Sequence, residues 1–243
     1  MTIATLIDAE VSPGRLAIRP ALIIPAFNEE PVIGRMLSSV PDGLFDQIIV
    51  ADNGSTDRTA EIARSFGVTV VSVPKPGYGG ACLSAIAALR PEIDAAVFIQ
   101  ADGSEDPAEA IGLLQPIAEG KADLVIGSRT LGKVDPGALL PHQQFGNALA
   151  TGMVRLLFGH SYSDLGPFRA IRRSALLELG MRERHYGWTV EMQVKALRKN
   201  LRVLEVPISY KRRVAGVNKI SGNLVNSAKA GVTILCTVFR YAV

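Results

Sequence analysis

Short apolar segments alternate with helix-like segments through the first half of the chain, and each apolar segment ends in a polar or glycine-containing turn. In the clearest case, the apolar segment Ala95–Ile99 stops at Gln100-Ala101-Asp102-Gly103, and Pro107 then suits the first turn of a helix. Strands separated by helices indicate βαβ units and a parallel sheet. Because ligands of parallel sheets lie beyond the carboxyl ends of the strands, we expect the functional site at these turns.

The second half of the chain is less regular, and the whole is predicted to be an α/β protein. The predicted strands cover residues 21–24, 47–51, 68–73, 95–99, 123–126, 168–171 and 201–208. Helices are predicted at 31–37 and 58–66, in the small-residue segment that ends at 89, and at 107–114, 145–158, 174–179, 188–199 and 222–243. Residues 130–143, rich in glycine and proline, and the basic residues 210–219 are predicted to form loops.

Polar or flexible residues follow each of the first four predicted strands: Asn28 and Glu29, Asp52 and Asn53, Gly79 and Gly80, and Asp102. Asp102 shares its turn with Glu105 and Asp106, and carboxylate oxygens are ligands that Mg²⁺ and Mn²⁺ prefer. Asn28 and Asp52 suit hydrogen bonds to the base edge and ribose of a nucleoside. The alternative interpretation is a solvated acidic turn in which Asp106 caps the next helix.

Gly79 and Gly80 leave two interpretations open. Because they lack side chains, they would let a ligand come close to the main chain. They would equally let a helix begin tightly against the sheet.

Charge is distributed unequally along the 243 residues. Residues 1–120 carry 7 Lys and Arg against 16 Asp and Glu, whereas residues 121–243 carry 19 against 7. The basic half suits a phosphorylated ligand or an anionic membrane surface. Nucleic acid is the weakest candidate partner, because no pattern of base-stacking aromatic residues is evident.

Several features bear on the cellular location. Cys82 and Cys236 lie far apart without metal-site spacing, so they are interpreted as small apolar fillers in a reducing compartment. No signal peptide is predicted at the N-terminus, and the apolar run 230–239 is shorter than the roughly 20 residues that span a bilayer. The predicted location is cytoplasmic, with peripheral contact to the inner face of the membrane left open.

Seven motifs, in order over roughly residues 20–222, resemble those of the family 2 glycosyltransferases, which are inverting enzymes with a GT-A fold. They are Pro25-Ala26-Phe27-Asn28-Glu29, Val50-Ala51-Asp52-Asn53-Gly54-Ser55-Thr56-Asp57, the turn at Asp102, Gly127-Ser128-Arg129, Gly166-Pro167-Phe168-Arg169-Ala170, Glu205-Val206-Pro207-Ile208 and Arg213-Val214-Ala215-Gly216-Val217-Asn218-Lys219. The resemblance implies a Rossmann-like, mostly parallel sheet flanked by helices. It is greatest to the dolichyl-phosphate mannosyltransferase and glucosyltransferase branch.

The resemblance also implies roles for the matching residues. The predicted nucleotide-sugar contacts are Pro25, Ala26, Asn28, Glu29, Asp52, Asn53, Gly54, Gly79, Gly80, Gln100, Ala101 and Asp102. Asp102 matches the second acid of the family's Asp-x-Asp motif, which binds a divalent metal, Mg²⁺ or Mn²⁺, and the diphosphate. Gln100 stands where the first acid is expected and is the second predicted metal ligand, although it removes a charge. Arg213 and Lys219 match a basic loop that closes over the phosphates, so they join Asp102 as predicted catalytic residues.

The reaction implied is transfer of a hexose, with inversion, from a UDP- or GDP-sugar to a polyprenyl phosphate. A metal and cationic side chains would stabilise the negative charge that develops on the leaving group. A phosphate acceptor is already a nucleophile and needs no base. The predicted acceptor-binding residues are Arg129, Asp164 and Arg169.

Two alternatives remain open. Transfer to a hydroxyl of a lipid or small molecule requires a carboxylate base, for which Asp164 and Glu191 are the candidates. Glu191, predicted as catalytic, would equally serve to pair with the N-terminal dipole of its helix. The other alternative is a nucleotide-binding protein with reduced catalysis, motivated by the missing charge at Gln100.

The whole chain is predicted to be a single domain. It comprises a lead-in at 1–18, a nucleotide-sugar-binding half at 20–130, an acceptor-side half at 131–222 and an amphipathic terminal helix at 223–243. That helix would either lie in a membrane interface or pack its apolar face onto the sheet. Synthesis of a cell-envelope polysaccharide or glycolipid is the setting that the resemblance implies, and the sequence carries no signal for the oligomeric state.

Overall fold

The computed structural model describes residues 16–213 and 224–242, with the side chains of 224–228 excepted. The strands are β1 (Pro20–Ala26), β2 (Gln47–Asp52), β3 (Thr69–Ser72), β4 (Ala95–Phe98), β5 (Leu124–Val134), β6 (Arg169–Arg172) and β7 (Val203–Tyr210). The helices are α1 (Glu30–Ser38), α2 (Thr59–Ser65), α3 (Tyr78–Ala87), α4 (Ala110–Ala118), α5 (Pro141–Phe158), α6 (Arg173–Leu179), α7 (Trp188–Arg198) and α8 (Leu224–Ala242). Most of the predicted lead-in, and Lys219 with most of its basic loop, lie outside the described residues.

The strands form one sheet in the order β3-β2-β1-β4-β6-β5-β7. The first four neighbours pair in parallel, as do β5 and β7, whereas β6 runs antiparallel to β4 and β5. Residues 21–24 of β1 are fully buried, as expected for a central strand that is covered on both faces. The predicted α/β architecture with a mostly parallel sheet is therefore confirmed.

Helices cover both faces of this sheet. One apolar cluster joins the sheet to α3, α5, α6, α7 and α8, and the other joins it to α1, α2 and α4. Cys82 lies in the first cluster, as predicted, but the interpretation of Cys236 as a buried filler is wrong, because its side chain is exposed on α8. Within the described residues, no helix is long and apolar enough to cross a membrane.

The predicted loop 130–143 is much shorter in the structure. After an irregularity between Ser128 and Lys133, β5 resumes its pairing with β7 and continues to Val134, and α5 already begins at Pro141. Gly132 suggested a loop, but it is required inside the strand, where an added Cβ would collide with the main chain of Ile208. The connecting loop is therefore only residues 135–140.

Asp123 ties three segments together at the edge of the sheet opposite to the predicted site. Its carboxylate accepts hydrogen bonds from the side chains of Arg202 and Arg172, at 2.6–3.0 Å, and from the main-chain N–H of Arg202. The bond from Arg202 is the main cause that lowers the pKa of Asp123 to about 2. A carboxyl whose pKa is lower in the folded state stabilises that state when it is ionised.

We expect Asp123→Asn to lower the free energy of unfolding by about 1–2 kcal/mol at pH 7, allowing for the half-exposed arginines. The wild type should have the higher free energy of unfolding above the ordinary aspartate pKa, and this difference should be lost as pH falls towards 2. Urea unfolding between pH 7 and pH 3 measures this difference, with Asp42→Asn, an exposed aspartate, as the control. A difference that does not shrink with falling pH would contradict the assignment.

Candidate functional site

The carboxyl ends of β1, β2 and β4 lie side by side because β1 occupies the position between the other two strands. Ala26 pairs with Asp52, and Ile23 pairs with Phe98 at the end of β4. The residues that follow these strands, Asn28 and Glu29, Asp52 and Asn53, and Asp102, therefore share one edge of the sheet. Pro25 and Ala26 end β1 at this edge, and Gly54 forms part of the turn after β2.

Hydrogen bonds join the first two of these turns. Asn28, at a φ of 51°, accepts the N–H of Thr56 at 2.8 Å, and its own N–H donates to the hydroxyl of Ser55 at 2.9 Å. Asp52 accepts the N–H of Ser55 at 3.0 Å through one oxygen. These bonds set the shape of the edge where a nucleoside was predicted to bind. The nucleoside contacts themselves stay predictions.

Arg213 joins the ends of β1 and β4 by ion pairs. Its guanidinium lies 2.5 Å from Oε1 of Glu29 and 3.6 Å from Oδ2 of Asp102. The other oxygen of Asp102, Oδ1, accepts both the N–H and the hydroxyl of Ser104, at 3.0 and 2.5 Å. The structure thus brings together Asp102 and Arg213, two of the predicted catalytic residues, although they are far apart in the chain.

Glu105 is buried directly beneath this turn. One of its oxygens accepts the N–H of Gln100 at 3.0 Å, whereas its Oε1 and the amide oxygen of Gln100 are buried without a hydrogen-bond partner. Burial, with the nearby charge of Asp102, raises the pKa of Glu105 to about 8. Asp106 caps the short helical turn that follows, because its side chain accepts the N–H of Ala108. It also forms an ion pair with Lys211.

The turn is suited to a hard cation held by few protein ligands. Among the described residues, no three His, Cys, Asp or Glu side chains come together in a metal-binding arrangement. The turn nevertheless offers the Oδ2 of Asp102 and the unpartnered oxygen of Gln100, while Mg²⁺ and Mn²⁺ commonly complete their coordination with substrate phosphates. The residues present therefore fit the predicted metal, with Asp102 as the charged ligand.

Gly79 and Gly80 do not face open space at this edge. An added Cβ at Gly79 would collide with the carbonyl oxygen of Glu183, and Gly80 donates its N–H to the carbonyl of Arg184 at 2.8 Å. Another segment of the protein therefore packs against these glycines, which disfavours the predicted contact with the nucleotide-sugar. The alternative of tight packing at a helix start is favoured, although the closest contacts of Gly79 are with residues 183 and 184 and not with the sheet.

Arg129 and Asp164 form a nearly buried ion pair. The guanidinium donates to both carboxylate oxygens at 2.7 and 2.8 Å, and the main-chain N–H of Arg129 adds a third bond at 2.9 Å. The same guanidinium lies 5.3 Å from the ring centroid of Tyr210. All these bonds hold Asp164 in place, so its predicted use as a base is disfavoured.

Glu205 supports the same loop and was assigned no role from the sequence. Its carboxylate accepts the N–H groups of Ser163 and Asp164 and the hydroxyl of Ser163, at 2.7–3.2 Å. The only available signal was its place at the start of the motif Glu205-Val206-Pro207-Ile208.

Arg169 is fully buried, which contradicts its predicted contact with the acceptor. Its guanidinium donates to the main-chain carbonyls of Gly166 and Thr189, and burial lowers its pKa. Arg169 therefore holds the loop before β6 against the start of α7 from inside the protein.

Glu191 is also fully buried, and every contact it makes is internal. It pairs with Lys195 at 2.7 Å, accepts the hydroxyl of Tyr241 at 2.7 Å, and accepts the N–H groups of Arg182 and Glu183 at 2.8–3.2 Å. These contacts connect α7 to α8 and to the segment that covers Gly79. They favour a structural role for Glu191 over the predicted catalytic one.

Comparisons with known proteins identify the family of this chain. The family model described as "Glycosyl transferase family 2" matches residues 21–180. An uncharacterized glycosyltransferase of Mycobacterium bovis is 35% identical over 207 residues, which cover 85% of this chain and 91% of the relative. An undecaprenyl-phosphate mannosyltransferase of Micrococcus luteus is 30% identical over 235 residues, which cover 89% and 93%.

A solved structure supports the predicted GT-A fold. Glucosyl-3-phosphoglycerate synthase from Mycobacterium tuberculosis, in complex with Mn²⁺, UDP-glucose and phosphoglyceric acid, is similar with a TM-score of 0.74 at 25% identity. The similarity covers 93% of this chain and 80% of the other. It therefore includes both the edge formed by the ends of β1, β2 and β4 and the less regular half of the chain.

We expect Gly79→Ala to lower the free energy of unfolding by about 1–3 kcal/mol, because the new methyl group must displace the main chain at Glu183. Gly112→Ala is the matched control, since no atom lies within 4 Å of an added Cβ there and alanine favours a helix by up to about 1 kcal/mol. Denaturant unfolding of both variants measures the effect. Unchanged stability with lost nucleotide binding would restore the ligand-contact interpretation.

Proposed function

Because this chain belongs to glycosyl transferase family 2, we propose that it transfers a hexose, with inversion, from a UDP- or GDP-sugar to a polyprenyl phosphate at a membrane surface. Three features support this proposal. They are the edge formed by the carboxyl ends of β1, β2 and β4, which we call the donor edge; the internal bonding of the acceptor-side carboxylates, Asp164 and Glu191; and the exposed faces of α5 and α8.

The donor edge supports the nucleotide-sugar. Asn28 and Asp52 lie at the ends of β1 and β2, with Asp102 after the neighbouring β4, and these are the side chains that would contact a nucleotide-sugar bound there. The similar synthase from Mycobacterium tuberculosis binds UDP-glucose and Mn²⁺. In this chain, Asp102 with the amide oxygen of Gln100 would hold the metal, which would stabilise the charge of the leaving diphosphate.

The internal bonding of the acceptor-side carboxylates favours a phosphate acceptor over a hydroxyl acceptor. A hydroxyl acceptor requires a base, but Asp164 is bound on both oxygens by Arg129, and Glu191 is bound by Lys195 and Tyr241. A phosphate is already ionised and therefore reacts without a base. The chain itself needs only to position it and to balance charge.

The outer face of α5 supports a lipid-linked acceptor. Phe145, Leu149 and Leu156 recur on one side of the helix, and Phe145 and Leu156 are 71% and 84% exposed. The helix also contacts residues 163–165, which precede β6. The side chain of Asn147 donates to the carbonyl of Ser163 and accepts the N–H of Leu165. Asn147 lies on the opposite, inner side of α5, so a membrane against the exposed face would be separated from residues 163–165 by the width of the helix, ~10 Å.

The neighbouring helix α8 has two distinct faces. Val238 is buried in the core, and Ile234 and Tyr241 pack against it, whereas Val232 and Phe239 are exposed. One face of α8 thus packs onto the protein as predicted, but mainly against α5 and α7 rather than against the sheet. Neither α5 nor α8 contains an acidic residue, and their charged residues are Arg155, Lys229 and Arg240. Apolar side chains among cations suit the interface of an anionic membrane, which is the peripheral contact that we propose.

A soluble phosphorylated acid is the second candidate acceptor. The observation that favours it is the structural similarity to glucosyl-3-phosphoglycerate synthase, which binds phosphoglyceric acid. The two candidates share a phosphate group, so the direct test is which molecule receives the sugar.

We expect the full chain with Mn²⁺ to transfer sugar from UDP-glucose or GDP-mannose to undecaprenyl phosphate in detergent, and not to 3-phosphoglycerate. Asp102→Asn should reduce transfer by about 100-fold or more, because it removes the charged ligand that stabilises the leaving group. Asp42→Asn is the control. Transfer to 3-phosphoglycerate alone would select the second candidate, and nucleotide binding without any transfer would indicate reduced catalysis.

We expect the full chain to sediment with vesicles that contain phosphatidylglycerol, with less binding as salt rises. The double variant Phe145→Ser with Leu156→Ser should weaken vesicle binding at least tenfold, since about 1.5–3 kcal/mol is lost for each apolar side chain no longer buried in lipid. Leu177→Ser is the matched control, because Leu177 is an exposed leucine on α6. Protein that stays in the supernatant at low salt would contradict membrane docking.

A further inference from the structure

Asp102 has one oxygen within reach of a cation, and Arg213 already takes it. Its Oδ1 is bound twice by Ser104, and its Oδ2 faces a guanidinium nitrogen of Arg213 at 3.6 Å. The turn after β4 is where the proposed site requires a divalent metal. A guanidinium and a divalent cation cannot share this oxygen without strong like-charge repulsion.

We propose that Arg213 occupies the place of the metal when the donor is absent, and exchanges Asp102 for the donor's diphosphate when donor and metal bind. This inference rests on the proposed nucleotide-sugar site. The diphosphate supplies the negative charge that Arg213 loses on leaving Asp102. Arg213 therefore couples the two ligands: the metal alone binds weakly, and the donor strengthens its binding.

The contacts of Arg213 suit such an exchange. One guanidinium nitrogen is bonded to Oε1 of Glu29 at 2.5 Å, but the Nε is buried without a hydrogen-bond partner, so the present position leaves the guanidinium incompletely bonded. At 3.6 Å, its link to Asp102 is an ion pair longer than a good hydrogen bond. A diphosphate would offer the guanidinium fork a better set of acceptors.

The two residues before Arg213 are anchored to the turn that holds Asp102 and to the loop after β5. Lys211 donates its main-chain N–H to the carbonyl of Ser104 at 2.7 Å, and its ammonium pairs with Asp106 at 2.9 Å. Arg212 bonds the carboxylate of Asp135 through its main-chain N–H at 3.2 Å. The side chain of Arg213 would therefore make the exchange beside a turn that is itself held in place.

Binding of Mn²⁺, followed by electron paramagnetic resonance of the unbound ion, tests the exchange without reference to activity. Removing the guanidinium in Arg213→Ala should lower the Kd for Mn²⁺ alone at least tenfold. The same variant should reduce the factor by which UDP strengthens Mn²⁺ binding. Arg213→Lys, which keeps the charge, should remain near wild type in both measurements, and Arg212→Ala is the matched control from the same segment.

Thermal unfolding of each variant checks that the fold is intact. An Mn²⁺ affinity of Arg213→Ala equal to or weaker than that of wild type would overturn the exchange. This failure is distinct from a failure of the proposed function, which would appear as wild-type transfer that persists in excess chelator or as no transfer at all.

Discussion

Parallel pairing of β1 with β2 on one side and with β4 on the other is the constraint on which the site depends. Main-chain hydrogen bonds fix the register, so the turns that follow the three strands must emerge at one edge. Glu29, Asp52 and Asp102 are consequently brought close together, although about 75 residues separate the first from the last. Because like charges repel, carboxylates this close together are stabilised by a cation. Arg213, in the segment that follows β7, pairs with Glu29 and Asp102.

The acceptor side depends on a different constraint, which is the bonding of buried polar groups. The irregular loop before β6 has main-chain groups that must find partners inside the protein. Glu205 accepts N–H groups of this loop, and Arg169 donates to one of its carbonyls. The anion thus satisfies main-chain donors of the loop, and the cation satisfies a main-chain acceptor. Asp164 is fixed in the same loop by Arg129. Asp164, Glu191 and Glu205 are thus all held by internal bonds.

The sequence predicted the elements and the shared edge of the strand ends well, because both follow from local pattern. Alternating apolar segments indicated the strands, and parallel pairing alone was enough to place Asn28, Asp52 and Asp102 together. The end of β5 was misjudged, since Gly132 is typical of a loop. Its place inside a strand depends on contact with Ile208, about 75 residues further along the chain. Membership of the family was likewise readable from short motifs in order.

What the sequence by itself determined is therefore where each strand ends and which polar residues follow it. The tertiary structure decided what those residues touch. Gly79 packs against the main chain at Glu183, Arg169 and Glu191 are buried, and Arg213 reaches Asp102 across the sheet edge. The physical reason is that strand periodicity arises from neighbours in the chain, whereas burial and charge pairing arise from segments that only folding brings into contact.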